Sequence, residues 1–149
     1  MSTCLVAELK SSATARSRLR LDVSSLVDIE SGALSQKGWK KYLAAEEIRC
    51  QKFGHPATLL SLQLPSNQGS TLRQVVTAVS ELFTDDEVIA RVSGEPQLLV
   101  LLPESDFDTG NLKLAHIREA LKDIPEIVIK AVSRDPRRGM DAAFAELLG

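Results

Sequence analysis

Cysteine and histidine are scarce in this chain, with two of each. Cys4 and Cys50 do not form a CxxC pair, and neither His55 nor His116 stands near enough to either thiol to suggest a zinc cluster. Two reduced thiols are expected, with no metal site and no cofactor. A positive excess is also missing. Eighteen Lys plus Arg against twenty Asp plus Glu leave a formal net charge of −2, without the dense positive field by which nucleic-acid binders collect phosphates. Nucleic acid is therefore not an expected partner. No apolar run approaches the roughly 20 residues that cross a bilayer. The opening Met1-Ser2-Thr3-Cys4-Leu5-Val6 lacks a basic region followed by an apolar signal core. A cytoplasmic location without membrane insertion is the expectation.

What is present is an ordinary globular composition: 149 residues, 44% hydrophobic and 26% charged. A chain of this length buries about 70% of its unfolded surface and needs no disulfide to build a core. Residues 1–27 read as a loosely ordered, mildly basic N-terminal arm, with Lys10, Arg16, Arg18 and Arg20 against Glu8 and Asp22. Within it, Leu19-Arg20-Leu21-Asp22-Val23 alternates apolar and polar residues with period two and would suit an added edge strand.

Residues 28–149 read as one domain. Ser35 is a plausible N-cap for a helix carrying Trp39, Tyr42, Leu43, Ile48 and Phe53, and Gly54 supplies its stop. Ala57 to Leu64 is an apolar run of strand length, expected to be central and buried on both faces. A second helix is predicted from about Ser70 to Phe83, on the stripe Leu72, Val75, Val76, Val79, Leu82 and Phe83. Glu87–Val92 and Gln97–Leu102, separated by Ser93-Gly94-Glu95-Pro96, predict a β-hairpin. Leu112, Leu114, Ile117, Ala120 and Leu121 mark a third helix, Ile127 to Val132 a further strand, and Met140, Ala143, Phe144 and Leu147 a short last helix. The order α, β, α, β, β, α, β, α implies an α/β (α+β) domain whose helices flank a mixed, mostly antiparallel sheet of four to five strands.

The run Asp28-Ile29-Glu30-Ser31-Gly32-Ala33-Leu34-Ser35-Gln36-Lys37-Gly38-Trp39 resembles the opening motif of GGDEF domains, the bacterial diguanylate cyclase family. Asp28 and Gly32 match it, and Ser31 replaces a Thr. Val88 to Gln97 stands where that family has an Arg, an apolar residue and then the Gly-Gly-Asp/Glu-Glu-Phe signature, and Leu99 to Glu104 continues the match. The resemblance spans roughly residues 28–132 and implies the palm-like GGDEF fold with the hairpin at the signature.

The departures from the family pattern imply lost catalysis. Gln63 stands where the family's first strand ends in a metal-binding Asp, and a neutral amide does not replace a hard carboxylate ligand of Mg²⁺. About ten residues of the family's guanine-binding segment are missing after Leu64. In the signature positions Ser93, Gly94, Glu95, Pro96 and Gln97, one acid remains, and Pro96 deletes a backbone donor. A nucleotidyl-transfer enzyme would need a second carboxylate near Glu95. Asp85, Asp86 and Glu87 lie at the strand entry, too far from the hairpin tip. The family's inhibitory product site uses an Arg and an Asp where this chain has Thr84 and Glu87. An alternative anion or nucleotide site is open to Arg91, Arg134, Arg137 and Arg138. The expected function is a non-catalytic protein-interaction or regulatory module of a bacterial signalling or assembly system. The alternative is a receptor for cyclic di-GMP or a related nucleotide, with arginines from the basic arm or from the 134–138 loop, Arg134, Arg137 and Arg138. Trp39 and Tyr42 could anchor an interface, although core packing is the commoner role for such a pair. An unpaired outer strand could receive a strand from a partner, or residues 19–23 of a second copy to form a homodimer.

Overall fold

A computed structural model describes residues 26–149 except Asp85. The elements are α1 (Gln36–Phe53), β1 (Ala57–Gln63), α2 (Gly69–Ser80), β2 (Val88–Arg91), β3 (Gln97–Pro103), α3 (Phe107–Ala120), β4 (Val128–Ser133) and α4 (Gly139–Leu148). Their order is the one expected, and the alternating strand of residues 19–23 lies outside the described residues.

Local chemistry sets the ends of α1. The extended Ser35 accepts a hydrogen bond from Gly38 N–H at 3.2 Å, and Gly54 closes the helix in the left-handed region at φ 69°, its N–H donating to Cys50 O. The buried stripe of α1 is Trp39, Leu43, Glu46 and Cys50. Ile48 and Phe53, read from the sequence as part of the apolar face, are exposed, as is Leu112 of α3. Each lies off the narrow stripe that meets the sheet. The second helix stops at Ser80, before the expected Phe83. Leu82 N–H and Phe83 N–H turn back to Val79 O and Ser80 O, tightening the chain out of the α-helix and leaving Leu82 partly exposed.

The four described strands form one antiparallel sheet in the order β2-β3-β1-β4. β1 is central, and Leu59, Leu60 and Leu62 are fully buried because helices cover both faces. Leu60, Leu62, Leu98, Val100 and Leu102 join Leu72, Val75 and Val79 of α2 and Ile117 of α3 in one layer. Leu59, Leu99, Leu101 and Val132 join Trp39 and Leu43 of α1 and Met140, Ala143 and Leu147 of α4 in the other. Trp39 is core, 0% exposed, with its ring 5.8 Å from that of Phe144. The fold is therefore the expected palm-like α+β arrangement, with all described strand pairs antiparallel. The one parallel element among the described residues is an isolated bridge between Leu34 and Ala90, and Val27 bridges Leu34 antiparallel on its other side.

Deleting the Trp39 side chain should open a cavity between α1, α4 and the sheet. Trp39→Ala is expected to lower unfolding free energy by about 3–5 kcal/mol, read by circular dichroism in urea. A loss under about 1 kcal/mol would contradict this packing.

Candidate functional site

The β2–β3 hairpin presents the signature positions Ser93 to Gln97 at the end of the sheet where β1 finishes. Gly94 adopts φ 74°, which lets the chain reverse, and Glu95 N–H returns to Val92 O at 3.0 Å. The register places Gln63, at the end of β1, directly opposite Gln97. The structure thus sets the expected metal-ligand position of β1, Gln63, opposite the last signature position, Gln97. Gln97 Nε2 donates to Ser61 Oγ at 2.7 Å, so two amides and a hydroxyl occupy this strand end.

Several polar backbone groups of the turn are bonded within the chain. Ser93 N–H donates to Gln36 Oε1 at 3.1 Å, Asn67 Nδ2 donates to Gly94 O at 3.1 Å, and Leu64 N–H donates to Pro96 O at 2.8 Å. Gln36 and Asn67 carry no signal in the sequence, because each meets its partner only across a long chain separation.

Arg91 lies beneath the turn with a side chain 5% exposed. Its Nε donates to Glu95 O at 3.1 Å, one terminal nitrogen donates to Asn67 Oδ1 at 2.6 Å, and the other lies 3.2 Å from Asp28 Oδ2 and 3.1 Å from Glu30 Oε1. Arg91 therefore does not belong to a ligand-facing anion site. Its planar fork is filled by the chain's own acceptors. Burial pulls the Asp28 carboxyl upward, but hydrogen bonds from Ser31 and Arg91 outweigh it and hold the group below its ordinary value. The Asp28–Gly32 turn is gripped from the other side by Arg73, whose guanidinium donates to Glu30 O and Ile29 O.

The other expected residues lie elsewhere. Glu87 is buried; its carboxylate accepts Thr84 N–H at 2.7 Å and lies 3.5 Å from Lys113 Nζ. Arg134, Arg137 and Arg138 share a shallow depression of about 400 Å³ at the base of α4 with Glu47 and Gln51. Arg134, 6% exposed, is held by Glu47 through two 2.8 Å hydrogen bonds. The same carboxylate accepts Met140 N–H at 2.7 Å at the start of α4. Hydrogen bonding from Arg134 holds the Glu47 carboxyl down to about 2. An anion in the depression would meet the exposed Arg137 and Arg138, the latter 4.0 Å from Glu146, with Arg134 already neutralised. Cys50 is a buried free thiol, pushed up to about 11 by burial and by Glu46. Among the described residues no group of three or more His, Cys, Asp or Glu could hold a metal ion. An apolar cavity of about 230 Å³ between Val27, Leu34, Tyr42, Val76, Phe83 and Ile89 has no counterpart in the sequence reading.

No family model and no curated protein matches the chain. Solved structures do. The GGDEF domain of DgcB from Caulobacter crescentus, in complex with c-di-GMP, superposes with a TM-score of 0.69 at 14% identity over 83% of this chain and 85% of that one. The diguanylate cyclase SiaD from Pseudomonas aeruginosa, in complex with its activator SiaC, gives 0.70 at 17% identity over 99% and 66%. Vibrio cholerae LapD, as an S helix-GGDEF-EAL chain bound to c-di-GMP, gives 0.76 at 17% identity over 91% and 35%. The chain has the GGDEF-domain fold. Among the described residues no helix is long and apolar enough to cross a membrane.

Removing Arg91 strands Asp28 and Asn67. Arg91→Ala is expected to cost about 3–5 kcal/mol of stability, by chemical denaturation, and a change under about 1 kcal/mol would show that the fork is not structural. Glu47 has a folded value below its unfolded one, so its contribution is full above about pH 5 and lost as pH falls toward 2. Across that window the stability of Glu47→Gln should fall less steeply than that of the parent chain; parallel slopes would contradict the assignment.

Proposed function

We propose that this chain is a non-catalytic GGDEF-like domain that serves as a protein-interaction or regulatory module in a bacterial signalling or assembly system that uses c-di-GMP. The observation that carries the reading is the signature end of the sheet. Gln63 stands where a divalent metal would need a carboxylate, Gln97 opposite it replaces the signature's Phe, Pro96 replaces its second acid, and the turn backbone is bonded to Gln36, Asn67 and Leu64. Phosphoryl transfer relies on positioning and metal-assisted charge stabilisation. A site with the Gln63 amide in place of the metal-binding carboxylate lacks the charge that would hold the metal. Glu95 alone, at an exposed hairpin tip, is a solvated acid.

A well-packed core under a dismantled site is what a module retained for binding would keep. SiaD, one of the structural neighbours, is described with a protein activator, and a protein partner fits this chain in the same way. The module is placed in the cytoplasm, where c-di-GMP signalling operates, and a homodimer is compatible with it. The second reading, a c-di-GMP receptor, is favoured by one feature: the depression that exposes Arg137 and Arg138 beside Arg134. Planar guanidinium groups suit phosphate oxygens, although Glu47 offsets one of the three.

Isothermal titration with c-di-GMP, and separately with GTP plus Mg²⁺, distinguishes these readings. No heat from GTP and no cyclic product are expected, and turnover of GTP would overturn the proposal. Saturable binding of c-di-GMP, abolished by Arg137→Ala with Arg138→Ala, would put the receptor reading first.

A further inference from the structure

The apolar cavity between α1, α2 and the start of β2 measures about 230 Å³, more than the roughly 150 Å³ that takes up a benzene ring. Leu34, Val76 and Ile89 are buried in its floor, whereas Gly32 and Ser80 lie exposed at its rim, so it opens to the surface. Among its described lining residues the one charged group is Glu87. That carboxylate is engaged, accepting Thr84 N–H at 2.7 Å and lying 3.5 Å from Lys113 Nζ. Sites for small molecules orient their ligands through a few convergent polar groups. With its acid engaged, this wall asks instead for aliphatic side chains.

The chain enters the domain at this cavity. Val27 is part of the lining and bridges Leu34 antiparallel, and Leu26 O accepts Ser35 N–H at 2.7 Å. The junction with residues 1–25 is therefore fixed at the cavity wall. The apolar residues that precede it are Val23, Leu21 and Leu19. A round cavity of that volume is roughly 8 Å across, and the four residues from Val23 to Val27 extend up to about 14 Å. Val23 can therefore reach any part of it, and Leu21 and Leu19 have chain to spare. A tether this short sets an effective concentration in the millimolar range, which favours the chain's own arm over that of another molecule.

We infer that this cavity is the seat of the chain's own N-terminal arm, with apolar side chains of residues 19–23 entering it and Arg20 and Asp22 kept in solvent. The arm is then an intramolecular ligand, and its release uncovers the apolar floor at Leu34, Val76 and Ile89. The inference does not rest on the signalling reading above.

Methyl NMR of the full chain tests it. Nuclear Overhauser contacts are expected from the methyl groups of Leu19, Leu21 or Val23 to those of Val76 and Ile89 or to the Tyr42 ring. In an equal mixture of labelled and unlabelled chains these contacts should stay within one chain. Leu19→Asp combined with Val23→Asp should abolish them and shift the Val76 and Ile89 methyl signals. The same variant should raise the fluorescence of anilinonaphthalene sulfonate, a dye that binds exposed apolar surface, by at least about twofold with far-UV circular dichroism unchanged. Leu5→Asp, far from the junction, should alter none of these. The inference is overturned by an absence of contacts from residues 19–23 into the cavity, by contacts that run only between chains, or by their loss with Leu5→Asp. A double variant whose cavity methyl signals and dye fluorescence match the parent's would overturn it as well.

Discussion

The guanidinium of Arg91 is the constraint on which the signature end of the molecule depends. It is almost wholly buried and bonds the Asp28–Glu30 turn, Asn67 before α2 and the carbonyl of Glu95 in the hairpin. Three segments distant in sequence, the 28–30 turn, Asn67 and the hairpin itself, meet at one planar cation. A buried cation is tolerable only when its donors are filled, and Asp28, Glu30, Asn67 and the Glu95 carbonyl fill them. The surface at this end is therefore held as structure, which supports the proposed non-catalytic reading.

Glu47 plays a comparable part on the opposite face. It joins Arg134, after β4, to the first turn of α4, and Gln51 on its own helix steadies it. Like Arg91, Arg134 reads from the sequence as an available cation but serves the fold. The guanidinium groups left to solvent in that depression are those of Arg137 and Arg138, which is why any anion recognition there would rest on them.

Much of the fold was legible because its signals are local. The Ser35 cap and Gly54 stop bound α1, and the unbroken apolar run from Ala57 identified a strand covered on both faces. Pairing was legible only for the hairpin, where Ser93-Gly94-Glu95-Pro96 sets the connection. What failed was the width of the buried stripe: Ile48, Phe53 and Leu112 follow helical spacing but fall outside the contact with the sheet, whereas Glu46 falls within it. The site was half legible. Gln63 and Gln97 were identified one by one from the resemblance, and their direct pairing depends on the register. The roles of Gln36, Asn67, Glu47 and Arg91 depend on partners 24 to 93 residues away, a distance over which spacing rules say nothing.

The central proposal is that the signature turn, bonded internally at Ser93, Glu95 and Leu64, takes up no nucleotide with its metal. Amide hydrogen exchange at Ser93, Glu95 and Leu64, measured by NMR with and without GTP and Mg²⁺, tests it most directly. Protection at all three amides, unchanged when nucleotide and metal are added, is the result this account requires. Rapid exchange in the free protein, or protection that appears only with GTP and Mg²⁺, would contradict it.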